Sequence, residues 1–121
     1  MKYSHVFLGL GSNIGDRKIF LQRAIEELCR SSKVKQLNAS SIYETEPLYN
    51  PDQGYFFNMI VEIETDFEPL KLLHYSKEIE LKIGKEFNVP KNSPRKIDID
   101  IEFFHYKMIN TKDLTIPHPL L

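Results

Sequence analysis

The chain contains a single cysteine, Cys29, so it has no internal disulfide. That scarcity makes a reducing compartment, the cytoplasm, the expected location. Cys29 sits in a helical pattern, where a free cysteine reads as a small hydrophobe. One cysteine and four scattered histidines supply no structural zinc pattern. A cationic surplus is also missing. Sixteen Lys and Arg stand against 17 Asp and Glu, a net charge of −1. That balance excludes generic nucleic-acid binding, which relies on excess positive charge, but leaves room for a local basic site. No apolar run approaches the ~18 residues that span a bilayer. The first residues lack the apolar stretch and small-residue cleavage site of a signal peptide. No repeat or low-complexity tract is visible. The 41% hydrophobic content is too high for disorder. The 121 residues suit one domain over 1–121.

Hydrophobic spacing orders the chain. Residues 3–10 read as a short apolar strand that ends in Gly9 and Gly11. Asp16 then caps a helix whose apolar face is Leu21, Ala24, Ile25 and Leu28, running to about Cys29. Residues 33–44 read as one more polar strand. Pro47, Asn50, Pro51 and Gly54 mark a loop. Phe57, Met59, Val61 and Ile63 alternate with Asn58, Ile60, Glu62 and Glu64 in a third strand. Pro69 opens a second helix, Leu72, Ser76, Ile79 and Ile83 share one of its faces, and Gly84 stops it. Residues 85–96 form a second long loop. In a fourth strand Ile97, Ile99, Ile101 and Phe103 alternate with Asp98, Asp100, Glu102 and Phe104. Residues 108–109 and 114–116 form a short extra pair. The order β-α-β-β-α-β is the α+β, ferredoxin-like arrangement, with two helices on one face of an antiparallel sheet. In that topology the first strand lies between the third and fourth. One sheet edge then gathers residues 9–13, 45–48, 56–58 and 95–100, together with both long loops. Structureless loops of that length are uncommon unless they serve a function or are disordered.

That edge holds the residues with chemistry to offer. Asp98 and Asp100, two apart on a strand, share one face. Adjacent carboxylates repel, and a hard divalent cation such as Mg²⁺ resolves the repulsion. Taken alone, the pair reads as two acids on a solvent-facing edge. Ser93-Pro94-Arg95-Lys96 beside them tilts the reading towards a polyphosphate ligand. The Gly9–Gly15 stretch follows a strand and opens a helix, so its backbone N–H groups can approach a ligand or merely make a turn. It is neither a P-loop nor a dinucleotide fingerprint. Asn58 lies amid Tyr55, Phe56 and Phe57. An amide among aromatics suits the edge of a flat heterocycle, although a core aromatic cluster with one surface Asn is the commoner case. Glu80 on the second helix reads as solvated and His118, between prolines, as a loop residue. His5, His74 and His105 read as structural.

Several segments together resemble the 6-hydroxymethyl-7,8-dihydropterin pyrophosphokinase family of folate biosynthesis. They are Leu10-Gly11-Ser12-Asn13-Ile14-Gly15-Asp16-Arg17, Ser40-Ser41-Ile42-Tyr43-Glu44-Thr45-Glu46-Pro47-Leu48, Phe57-Asn58, Ile79-Glu80 with Gly84, Pro94-Arg95-Lys96-Ile97-Asp98-Ile99-Asp100-Ile101 and Ile116-Pro117-His118-Pro119. No one segment is decisive, but six in the family's order are highly specific. The resemblance implies a ferredoxin-like fold and transfer of the β,γ-diphosphate of ATP to the pterin hydroxymethyl group, with AMP as the other product. It implies Asp98 and Asp100 as ligands of two Mg²⁺ ions. It places Glu80, Arg95, Ile101, Thr115 and His118 around ATP, with Arg95 also catalytic, and Gly11, Thr45, Leu48, Phe56 and Asn58 around the pterin. Expected partners are these two small molecules, with no nucleic acid and no membrane; a monomer is expected, with other folate-pathway domains compatible. There are departures. Ser93 stands for Gly, Asn92 for an aromatic, Lys85 for Arg, and Asp113 for an Arg found in some members. Family members also continue past the Pro-His segment, into a tail that carries a second ring-stacking Phe. A chain without either stacking aromatic is expected to bind pterin more weakly by about one to four decades, at ~1–3 kcal/mol per stack. Phe56 or Tyr55 offers partial compensation. Two other readings stay open at this level: a non-catalytic or weakly active remnant that still binds ATP or pterin, and a small ferredoxin-like interaction module.

Overall fold

Strand β1 (Ser4–Ser12) is the axis of the molecule. From Val6 onward its even-numbered residues, Val6, Leu8, Leu10 and Ser12, are all buried, as the two-residue period of a strand gives when one face is covered. The covering layer is two helices, α1 (Arg17–Leu28) and α2 (Pro69–Ile83). The computed structural model describes residues 3–47, 54–84 and 94–104, and the backbone pairing of 109–110 with 115–116. Five strands make the main sheet: β1, β2 (Val34–Ala39), β3 (Tyr43–Thr45), β4 (Phe56–Thr65) and β5 (Asp98–Phe104). β1 pairs antiparallel with β4 on one side and with β5 on the other, while β2 and β3 both pair with the far side of β4. Two-residue strands β6 (Ile109–Asn110) and β7 (Thr115–Ile116) form the expected extra pair. The α+β, ferredoxin-like architecture is therefore observed.

Local chemistry explains the boundaries. Asp16 caps α1 by accepting the Ile19 N–H at 3.2 Å. Pro69 occupies the first turn of α2, where its missing N–H costs nothing. Gly84 ends α2 at φ 116°, a left-handed conformation that a side chain would strain. Leu21, Ala24 and Leu28 of α1 and Leu72, Ile79 and Ile83 of α2 join Met59, Val61, Ile63, Ile99 and Ile101 in one core. Each fully buried aliphatic chain contributes about 2 kcal/mol. The Tyr75 hydroxyl reaches the carbonyls of Glu27 and Leu28 at 2.8 and 3.2 Å, locking the end of α1 to α2.

Four sequence expectations change. The second strand is two strands, because Ser40 interrupts it: the Ser40 hydroxyl accepts the Ile60 N–H at 2.8 Å, and the Ser40 N–H donates to Ile60 O at 2.8 Å. A side chain thus takes one ladder position and the backbone steps aside. In β5 the alternation breaks at Glu102. Leu8 faces Ile101 and Phe7 faces Phe103, so Glu102 is the extra residue of a β-bulge. The core residue is consequently Phe104, at 1% exposure, rather than Phe103. Cys29, at the end of α1, is exposed and not a core hydrophobe. Glu80 is buried, as described below.

A second link between the helices is ionic. Lys82 donates to the Glu27 carboxylate at 3.1 Å and Arg30 approaches it at 3.3 Å. The Lys82 hydrogen bond holds the Glu27 carboxyl below its ordinary value of 4.5, aided by Arg30. A depressed carboxylate stabilises the fold above its unfolded pKa, and the gain is lost as pH falls through the folded one. Thermal stability should therefore drop below about pH 4.5. Glu27→Gln should flatten that part of the pH–Tm curve. An identical acid limb in the variant would exclude this pair as a contributor.

Candidate active site

Two neighbouring rows of residues cross the sheet near the end of β1. Tyr43, Asn58, Gly11 and Asp98 stand in register on β3, β4, β1 and β5; Ile60, Gly9 and Asp100 stand in the next same-face row. These positions alternate with Leu8 and Leu10, so they lie on the sheet face away from the helices. The two glycines leave a furrow there. A Cβ on Gly11 would lie 3.1 Å from Asn58 Oδ1 and 3.4 Å from a ring carbon of Phe56. A Cβ on Gly9 would overlap the Glu102 carboxylate, which the bulge brings over it.

One bank of the furrow is acidic and cationic. Asp98 and Asp100 flank the buried Ile99 on β5. Arg95 lies beside them, its Nη1 2.5 Å from Asp98 Oδ2. The other bank is an amide among aromatics. Asn58 Nδ2 donates to Thr45 Oγ1 at 2.6 Å. Phe56 and Asn58 share one side of β4, whereas Phe57 turns to the helix side and packs on the core. Among the described residues no group of three His, Cys, Asp or Glu side chains could hold a metal ion. The Asp98 and Asp100 carboxylates are nevertheless hard oxygen donors. They suit a divalent cation such as Mg²⁺ that keeps water and takes its remaining ligands from substrate phosphates.

Glu80 is 3% exposed, and its Oε2 accepts the Ile99 N–H at 2.7 Å, between the two aspartates along the chain. Ile101 is also 3% exposed and faces the helices. The structure thus brings Gly11, Thr45, Phe56, Asn58, Arg95, Asp98 and Asp100 to one edge. Glu80 and Ile101 lie behind the sheet. Leu48, Lys85, Asn92, Ser93, Asp113 and His118 lie outside the described residues, and Thr115 is described by its backbone pairing alone.

Sequence reading did not single out two residues that organise this edge. Asn13, 6% exposed, donates its backbone N–H to Arg95 O at 3.0 Å, accepts the Arg95 N–H on Oδ1 at 2.7 Å, and donates its side-chain amide to Gly54 O at 3.3 Å. It fastens the chain just before Asp98 and the chain just before β4 to the end of β1. Arg17 donates to Tyr55 O at 2.8 Å and to Glu44 Oε2 at 3.2 Å, with its guanidinium 3.7 Å from the Phe57 ring centre. The Tyr55 hydroxyl meets Glu46 at 3.3 Å, and that carboxylate's charge pushes the phenol pKa up.

The ferredoxin-like sheet thus sets paired carboxylates and an arginine across a glycine from an amide and an aromatic, a donor set whose chemistry suits a phosphate-bearing ligand on one bank and a flat ring on the other. The sequence narrows this further. The model of the 7,8-dihydro-6-hydroxymethylpterin-pyrophosphokinase (HPPK) family matches residues 7–121, and the chain belongs to that family. It is 42% identical over 113 residues to the 2-amino-4-hydroxy-6-hydroxymethyldihydropteridine pyrophosphokinase of Bacillus subtilis, an alignment covering 93% of this chain and 67% of the relative. With the enzyme of the same name from Aquifex aeolicus it is 38% identical over 116 residues, 96% of this chain and 71% of the other. The folic acid synthesis protein fol1 of Pneumocystis carinii is 40% identical over 114 residues; these are 94% of this chain but 15% of that protein.

Proposed function

We propose that this chain transfers the β,γ-diphosphate of ATP to the hydroxymethyl oxygen of 6-hydroxymethyl-7,8-dihydropterin, as a folate-synthesis pyrophosphokinase. The pterin oxygen bonds to the β-phosphorus and the bond from that phosphorus to the α,β-bridging oxygen breaks. AMP leaves, and the hydroxyl proton passes to water. The observation that carries the reading is the placement of Gly11. It stands in register with Asn58 on one side and Asp98 on the other, which supports a flat ring held by the amide with the carboxylate pair one strand beyond Gly11.

Each residue then has a task. Asn58, Thr45, Leu48 and Phe56 hold the pterin, with Gly11 leaving room for it. Asp98 and Asp100 would hold two Mg²⁺ ions, which would supply charge neutralisation for the transfer. Arg95 binds phosphate, and Glu80, Ile101, Thr115 and His118 complete the ATP side. Both substrates are small molecules; neither a nucleic acid nor a membrane takes part, and the chain acts as a monomer in the cytoplasm, with attachment to other folate-pathway domains compatible. No helix among the described residues is long and apolar enough to cross a membrane.

The test is AMP release from ATP with Mg²⁺ and 6-hydroxymethyl-7,8-dihydropterin, against controls that lack pterin or metal. AMP that depends on both is the expected result. Folded protein that binds ATP yet releases no AMP would overturn the catalytic reading. Asn58→Ala should raise the pterin KM about ten-fold, the worth of one good hydrogen bond, and leave the ATP KM unchanged.

A further inference from the structure

Arg17 is misplaced by the rules of helix stability. It is the first residue of α1, where the positive end of the helix dipole disfavours a cation. Its contacts lie elsewhere. The guanidinium reaches across to both arms of the β3–β4 connection, to Glu44 Oε2 on β3 at 3.2 Å and to Tyr55 O just before β4 at 2.8 Å. Its central carbon also lies over the Phe57 ring, 3.7 Å from the ring centre. These three contacts approach the start of β4 from the helix side. Phe56 and Asn58, the neighbours of Phe57 in the chain, face the furrow at Gly11. A clamp on Phe57 and Tyr55 therefore fixes where Phe56 and Asn58 stand without touching what they hold.

We infer that Arg17 is a positioning residue for the pterin: it sets the spacing of the two arms that carry Thr45, Phe56 and Asn58. The inference rests on the functional reading above. The chemistry asks for arginine specifically. A planar group with several donors can stack on a ring and hydrogen-bond two oxygens at once, whereas a lysine ammonium cannot stack in this way. The Arg95–Asp98 bank lies across β1 on the other side of the furrow, so ATP should be indifferent to the loss.

The experiment compares wild type with Arg17→Ala and Arg17→Lys in steady-state AMP release, varying pterin and ATP separately, with thermal unfolding as the check on folding. Both variants should raise the pterin KM about ten-fold, as for a lost charge-assisted hydrogen bond, with kcat and the ATP KM within about two-fold. The lysine variant should not rescue. A folded variant with unchanged pterin KM, or with both KM values raised together, overturns the inference. Full rescue by lysine overturns it as well, since charge alone would then suffice. Should the alanine variant not fold, the lysine variant decides. Wild type that forms no pterin-dependent AMP overturns instead the reading of function on which the inference rests.

Discussion

Asp100→Asn should lower pterin-dependent AMP formation by about 10³-fold, the scale expected when a metal ligand is lost from a phosphoryl-type transfer site. The fold should be spared, because Asp100 is exposed on the open face while its neighbours Ile99 and Ile101 carry the packing. Asp98→Ala should be as damaging to turnover but differ in kind, since it also releases Arg95 from its ion pair. Measurement of kcat over a range of Mg²⁺ concentrations, with thermal unfolding alongside, separates the two effects. Near-normal turnover in a folded Asp100→Asn protein would remove the carboxylate pair from the mechanism.

Glu80→Ala should be the most destabilising change near the site. The side chain is 3% exposed and satisfies the Ile99 N–H of β5 from the adjoining α2. Truncation leaves that donor unpaired beneath the sheet and opens a cavity, at a cost of about 3 kcal/mol. For a domain of this size the Tm should fall by roughly 10 °C. Glu80→Gln keeps an acceptor and should lose less. A Glu80→Ala protein that melts with wild type would show the Ile99 bond to be expendable. Because Ile99 lies between Asp98 and Asp100, the same bond also steadies the stretch of β5 that presents both carboxylates.

What could be read from the sequence was what depends on local pattern. Asp16, Pro69 and Gly84 announce helix ends through their own backbone chemistry, and the spacing of Leu72, Ser76, Ile79 and Ile83 marks a face that is indeed buried. The strand order follows from the element order, so the meeting of Gly11, Asn58 and Asp98 at one edge was legible as well. The rest depends on partners distant in the chain. Nothing near Glu80 announces that an amide 19 residues later needs its carboxylate. Nothing near Ser40 shows that Ile60 will use its hydroxyl as a rung of the ladder. The bulge at Glu102 shifts the parity of β5, and alternation counted along the sequence assigns Phe103 to the core in place of Phe104. Arg17 gave one overlooked hint, a cation placed where a helix disfavours it.

That bulge has a consequence for how the strand can change over time. A regular strand ties all its residues to one phase, so a one-residue shift at either end turns every side chain over. With an unpaired residue at 102, β5 behaves as two independently phased halves. The half from 98 to 101 keeps its acidic positions on the open face, and the half from 103 to 104 anchors Phe104 in the core. Substitutions can accumulate in the anchoring half while the alternation that presents the two aspartates stays intact.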